Sequence, residues 1–122
     1  MTRVLFVCSQ NKLRSPTAEH VFAGRAGFEV TSAGTDKNAE VLVSSEIIEW
    51  ADVNFVMERS HRSKLSRNFK SHLKDKRVVC LDIPDDYEYM DPELVRLLST
   101  KAGPYFDRRA TPPNTSFERT RE

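Results

Sequence analysis

The stretch Arg3-Val4-Leu5-Phe6-Val7-Cys8-Ser9-Gln10-Asn11-Lys12-Leu13-Arg14-Ser15-Pro16 decides how this chain is read. Its first part, Arg3 to Cys8, is a short Val-rich apolar run bounded by polar residues, the pattern of a strand buried in a parallel sheet. Its last part, Ser15-Pro16, is a helix start, because a proline in the first turn lacks only an N–H that would have no intrahelical partner there. Ala18, Val21, Phe22 and Ala26 supply an apolar face for that helix, and Gly27 supplies its end. Cys8 to Ser15 is therefore a loop running from a buried strand to a helix N-terminus.

The same pairing recurs outward from this loop. Glu29 to Ala33 reads as a second, weaker strand closed by Gly34, and a helix is expected from about Ser44 to Ala51 with a serine cap. Val53 to Met57 reads as a third buried strand, followed by a helix on which Leu65, Phe69 and Leu73 repeat every fourth residue. Arg77 to Leu81 is the fourth strand, and Asp91-Pro92 opens a last helix through Leu94, Leu97 and Leu98. Strand and helix in alternation predict an α/β fold, a doubly wound parallel sheet between two helical layers. Such sheets bind ligands outside the carboxyl ends of their strands, and Cys8 lies at that end of the first strand. Residues 1–102 read as one domain. From Gly103 the sequence turns to Pro, Arg, Thr, Asn and Glu, so 103–122 is expected to be a disordered or loosely docked tail.

Bulk properties narrow the function classes. A chain of 122 residues builds one domain with a modest core, and 39% hydrophobic with 30% charged residues is ordinary for a soluble protein. No apolar stretch approaches the roughly 20 residues that span a bilayer. The run after Met1-Thr2-Arg3 is too short for a signal peptide, so a cytoplasmic location is expected. Cys8 and Cys80 form no disulfide framework and no metal-ligand spacing; reduced thiols are expected, with no metal and no cofactor. A net charge of +1 argues for neither a membrane nor a nucleic-acid partner. The charges are unevenly distributed: Arg59 to Arg77 holds eight Lys or Arg against Asp75 alone, and Asp82 to Glu93 holds six acids. These runs read either as a solvated helix face and a loop, or as a basic surface that recruits phosphorylated partners.

The loop carries the chemistry. Phosphate esters resist cleavage because their oxygens repel nucleophiles. Backbone N–H groups and the positive end of a helix dipole offset that repulsion and also favour a thiolate over a thiol. In this reading Cys8 is the nucleophile, and Ser9, Gln10, Asn11, Lys12 and Leu13 bring their amides to the phosphoryl oxygens. Arg14 closes the ring with a planar fork suited to two oxygens at once. Ser15 donates a hydrogen bond to the sulfur and helps it leave. A cysteine with an arginine six residues later is common by chance; the strand before, Ser-Pro after and the amphipathic helix beyond set this one apart.

These residues carry a resemblance. Val4 to Cys8, Asn11, Arg14-Ser15-Pro16 and Ala18-Glu19 together are similar to the signature of the low-molecular-weight protein tyrosine phosphatases, and closest to a short bacterial branch of it. Ser32-Ala33-Gly34-Thr35 resembles that family's second-strand motif and Val53 to Met57 its third strand, so the likeness runs from about Arg3 to Leu98. It implies a four-stranded sheet of order 2-1-3-4 and hydrolysis of phosphomonoesters, phosphotyrosine first, through a phosphocysteine. It implies no metal or cofactor, phosphorylated protein or small aryl phosphate as partner, and inorganic phosphate as product. It also implies that Asn11 and Ser32 brace the loop.

The family's general acid is an aspartate after the fourth strand, in an Asp-Pro-aromatic setting. Ile83-Pro84-Asp85-Asp86-Tyr87 offers Asp85 first and Asp86 second, with Tyr87 or Tyr89 as an aromatic that stacks on the substrate. Asp91-Pro92 keeps the dipeptide, but in the setting of a helix cap. The chain departs from the family pattern at Gln10, Lys12 and Leu13, and the short span between Gly34 and Trp50 lacks a segment that carries a loop-bracing histidine. His20, His61 and His72 read as surface or boundary residues, Cys80 as a core thiol and Trp50 as packing. Two rival readings use the same cradle: a non-catalytic module that binds phosphorylated partners, and an arsenate reductase, for which Cys80 alone is available as a relay. A phosphorylated small molecule or nucleotide is a further substrate class.

Overall fold

The structure, a computed structural model, describes residues 1–106. Strands β1 (Thr2–Cys8), β2 (Phe28–Gly34), β3 (Val53–Val56) and β4 (Arg77–Cys80) alternate with helices α1 (Arg14–Phe22), α2 (Ser45–Trp50), α3 (Arg59–Phe69) and α4 (Pro92–Lys101). All strand pairs are parallel and the sheet order is β2-β1-β3-β4, the expected 2-1-3-4. β1 is central, and its successive side chains serve opposite layers as strand geometry requires. Val4, Phe6 and Cys8 join the cluster under α1 and α4, while Leu5 and Val7 join Ile48 and Leu65 under α2 and α3.

The helix starts follow their local chemistry. Ser44 Oγ accepts the Ile47 N–H at 3.3 Å, and the Asp91 carboxylate accepts the Glu93 N–H at 2.9 Å with Pro92 in the first turn. Two boundaries differ from expectation. α1 stops at Phe22, and Ala26 is exposed, because the chain turns through Gly24 and Gly27 at φ of 81° and 88°. A side chain would oppose both conformations. α3 ends at Phe69 and gives way to a 3₁₀ turn over Lys70–Leu73, so Leu73 sits on a tighter turn than a continuous helix would give it.

The first residues of the expected tail, Gly103–Phe106, are docked on the domain. Gly103–Phe106 forms a 3₁₀ turn whose last residue is 5% exposed. The Phe106 ring stacks on Phe22 at 4.2 Å between centroids, lies 4.7 Å from Phe28, and stands 6.3 and 6.4 Å from Phe6 and Phe55. One aromatic thus closes the cluster over β1 and α1, which explains why this segment docks despite its polar neighbours. The rest of the expected tail, 107–122, lies outside the described residues. Phe106→Ala removes that closure and is expected to cost about 3–5 kcal/mol, read as a lower urea midpoint at unchanged m.

Candidate active site

Residues 9–13 join the end of β1 to the start of α1 and leave the sheet without a regular ladder. Their carbonyls are satisfied from outside. Thr35 N donates to Cys8 O at 2.9 Å, Asp36 N to Ser9 O at 2.8 Å and Glu40 N to Gln10 O at 3.0 Å. Among the described residues, the amides of Gln10, Lys12 and Leu13 donate to no backbone carbonyl, so they remain available to an anion. Gly34 makes this brace possible: a Cβ there would stand 2.4 Å from Ser9 O and 3.0 Å from Asn11 N. The span from Thr35 to Val41 is thus a scaffold for the loop, a role that its sequence did not announce.

Asn11 adopts the left-handed conformation at φ 59°. Its amide nitrogen donates to Ser15 Oγ and to Ser32 Oγ, each at 2.9 Å, and its Oδ1 accepts Val41 N–H at 3.1 Å. Every polar atom of that side chain is used, which fixes which way the amide points. Ser32 in turn donates to Glu19 Oε1 at 2.6 Å. Ser15 Oγ, which accepts from Asn11, stands 3.0 Å from Cys8 Sγ, where either atom can donate, and 3.4 Å from Ala33 O, to which its hydroxyl can also donate. The sulfur also accepts the Asn11 N–H at 3.2 Å.

Arg14 is 2% exposed despite its charge. Its Nη1 donates to a Glu58 carboxylate oxygen and to Ile83 O at 2.8 Å, and its Nε stands 3.6 Å from Asp85 Oδ1. A buried guanidinium needs such pairing, since an uncompensated buried charge costs several kcal/mol. Glu58, at the N-terminal edge of α3, was not singled out in the sequence. Its neighbour one turn on, His61, expected as a surface or boundary residue, is instead buried at 2% exposed. His61 Nδ1 accepts the Glu58 N–H at 3.0 Å, so the proton sits on Nε2, which faces Ser9 Oγ at 3.0 Å. Burial, reinforced by the Arg14 guanidinium, pushes the imidazole from 6.5 down to about 4. The loop therefore has a bracing histidine, drawn from α3 rather than from the missing segment. The Glu58-x-x-His61 spacing at a helix start is a capping-box signal that the sequence did contain.

Cys8, Ser9, Gln10, Lys12, Leu13, Arg14 and Asp85 line one cavity of about 130 Å³. Asp85 is brought to its rim by two anchors. Ile83 N donates to Met57 O at 2.8 Å, and Met90 N donates to Thr17 Oγ1 at 2.9 Å, while the backbone from Pro84 to Tyr87 makes no hydrogen bond among the described residues. The other candidates are placed elsewhere. Asp86 is exposed away from the cavity lining, and Asp91 caps α4. Tyr87 packs against the core cluster that holds Ile83 and Leu94, so it does not line the cavity; Tyr89 O–H meets His20 Nδ1 at 3.3 Å. Cys80 is half-buried on edge strand β4 beside Asp82, and burial pushes its thiol up. Trp50 packs at the margin of the second cluster. No group of three or more His, Cys, Asp or Glu side chains able to hold a metal occurs among the described residues, and no helix there is long and apolar enough to cross a membrane.

Two tests follow from the braces. Gly34→Ala pushes on Ser9 O and Asn11 N, and is expected to lower kcat/KM for an aryl phosphate on the order of 100-fold, the scale of a small misplacement of catalytic groups. An unchanged kcat/KM would show that the loop tolerates the shift. His61 titrates lower folded than unfolded, so its contribution is complete above pH 6.5 and is lost as the pH falls from 6.5 towards 4. The loss is on the order of 3 kcal/mol. Urea midpoints between pH 6.5 and 5 should fall more steeply in the natural protein than in His61→Asn.

The comparisons with known proteins identify the family and the fold. The family model described as "Low molecular weight phosphotyrosine protein phosphatase" matches residues 3–82. No curated protein matches significantly in sequence. Among solved structures, the YwlE arginine phosphatase from Geobacillus stearothermophilus is similar at 22% identity and a TM-score of 0.73, over 97% of this chain and 100% of that one. SP-PTP, a low molecular weight protein tyrosine phosphatase from Streptococcus pyogenes, is similar at 18% identity and 0.72, over 88% and 93%. The tyrosine phosphatase Wzb from Escherichia coli K30, solved with phosphate, is similar at 20% identity and 0.71, over 87% and 96%. At these identities the solved structures speak for the fold alone, and the matched family model, covering residues 3–82, carries the assignment: the chain belongs to the low molecular weight phosphotyrosine protein phosphatase family, whose members are cysteine-dependent phosphatases.

Proposed function

We propose that the chain hydrolyses phosphotyrosine, in proteins or as a small aryl phosphate, through a phosphocysteine on Cys8 with Asp85 as general acid. The observation that carries this reading is the convergence of Cys8, Arg14 and Asp85 on one cavity of about 130 Å³. The thiolate attacks phosphorus, two phosphoryl oxygens lie on the Arg14 fork, and Asp85 gives its proton to the departing phenolate oxygen. Asp85 then takes a proton from water as that water attacks phosphorus, and Cys8 leaves as a thiolate held by the Ser15 hydroxyl. Phosphate is released, and Asp85, protonated by that water, is ready for the next cycle.

Lys12 bears on the choice of substrate. Its exposed side chain lines the mouth, where an ammonium favours anionic surroundings and disfavours the cationic phosphoguanidinium of phosphoarginine. The sheet register disfavours a redox relay to Cys80. Val7, Val56 and Cys80 lie side by side on three successive strands, which puts about 10 Å between the Val7 and Cys80 backbones, beyond the roughly 7 Å that a disulfide spans.

Cys8→Ser is expected to abolish turnover of p-nitrophenyl phosphate while phosphate or vanadate still binds, as read by protection or calorimetry. Binding without turnover in the natural protein would instead make it a phosphate-recognition module. Arg14→Lys should damage both, because an ammonium lacks the fork. Asp85→Asn should slow phenyl phosphate far more than p-nitrophenyl phosphate, since only the poorer leaving group needs the proton; an equal loss on both removes Asp85 from the acid role. Phosphotyrosine and phosphoarginine, offered at equal concentration, should be turned over in that order of preference.

A further inference from the structure

Helix α3 and the 3₁₀ turn after it carry Arg59, Arg62, Lys64, Arg67, Lys70 and Lys74, with no acidic residue from Arg59 to Lys74. Arg62 is spent on Val78 O at 2.8 Å. Arg59, Lys64, Arg67, Lys70 and Lys74 are exposed and enter no ion pair among the described residues. Several of these cations stand three or four residues apart, a spacing at which like charges oppose the helix that displays them. The whole chain has a net charge of only +1, so this field is local and belongs to one face.

That face is also shaped. A broad depression of about 1110 Å³ is lined by Ser63, Ser66 and Ser71 among Arg67, Lys70 and Lys74. Its exposed lining is mostly apolar, with three hydroxyls and three cationic side chains as the polar groups that a row of carboxylates would meet. Leu73 is the one apolar residue of the lining, and no aromatic ring is present there on which a base could stack. The depression is tied to the cavity at Cys8 by the helix itself, because Glu58 and His61 at its N-terminal end hold Arg14 and Ser9. From Glu58 to Lys70 a helix rises about 18 Å, and an extended peptide covers that distance in about five or six residues.

We propose that this face of α3 is a docking surface for an acidic segment of the protein substrate, placed about five to eight residues from the phosphotyrosine that enters the Cys8 cavity. The inference rests on the phosphatase reading for its second site, but the docking contact itself does not need turnover. It makes the protein selective for phosphotyrosines that have a neighbouring run of Asp or Glu, with the recognition lodged away from the reacting atoms.

The experiment compares two phosphotyrosine peptides, one with neutral flanks and one with four glutamates beginning six residues from the tyrosine, on the full chain at low salt. The acidic peptide is expected to show a KM about tenfold lower at equal kcat, with the advantage shrinking as salt screens it. Arg67→Glu/Lys70→Glu/Lys74→Glu should erase that advantage and leave p-nitrophenyl phosphate kinetics as they were; Arg67→Ala/Lys70→Ala gives the same comparison should the triple variant fold poorly. Fluorescence anisotropy of the unphosphorylated acidic peptide on Cys8→Ser protein reads docking directly, so a chain without turnover still tests the surface. Equal KM for both peptides, an advantage that survives charge reversal, or tight binding of a short single-stranded RNA in place of the peptide would each overturn the proposal.

Discussion

The carbonyls of Cys8, Ser9 and Gln10 accept hydrogen bonds from the amides of Thr35, Asp36 and Glu40, and the candidate site rests on that pairing. A loop that is to present its N–H groups to an anion must satisfy its C=O groups elsewhere, or they compete for the same space. The residues after β2 do this with backbone donors alone, which requires them to press close against the loop. Gly34 permits that approach, and Asn11 locks it by joining Ser15, Ser32 and Val41 through one amide. The proposed anion site thus depends on backbone pairing from outside the loop as much as on its own side chains.

Arg14 shows the same logic with charge in place of dipoles. Its guanidinium reaches the cavity only because Glu58 and Ile83 O compensate it while it is buried. Those partners come from the ends of β3 and β4, the strands on the far side of β1 from the scaffold loop. One end of the sheet therefore assembles three kinds of support: backbone donors after β2, a carboxylate after β3 and a carbonyl after β4. The doubly wound order makes this possible by bringing the exits of all four strands to one edge.

The strands, their helices and the Cys8–Ser15 loop were legible because each rests on local signals: a buried apolar run, Ser-Pro at a helix start, Asp91-Pro92 at another; the order of the sheet came from the family resemblance. Asp91 was readable as a cap for the same reason. The supports were less legible, since each joins residues far apart in sequence. Nothing periodic links His61 to Ser9 or Glu58 to Arg14, although Glu58 and His61 close a reciprocal cap at the head of α3. Tyr87 looked like a substrate platform from its place after Asp85-Asp86, but an aromatic in a short return loop gains more by covering Ile83 and Leu94 than by standing in water. Phe106 was hidden by composition, one ring among polar neighbours.

The place of Phe106 also sets an order of events during synthesis. It completes a cluster begun by Phe6, Phe22 and Phe28, so the central strand and its first helix leave the ribosome well before the residue that seals them. Contacts between the ends of a chain form late, because long loops must close first. Until then the nascent chain exposes a greasy aromatic surface next to Cys8, and whatever shields nascent chains in the cell must cover that surface until residue 106 has emerged.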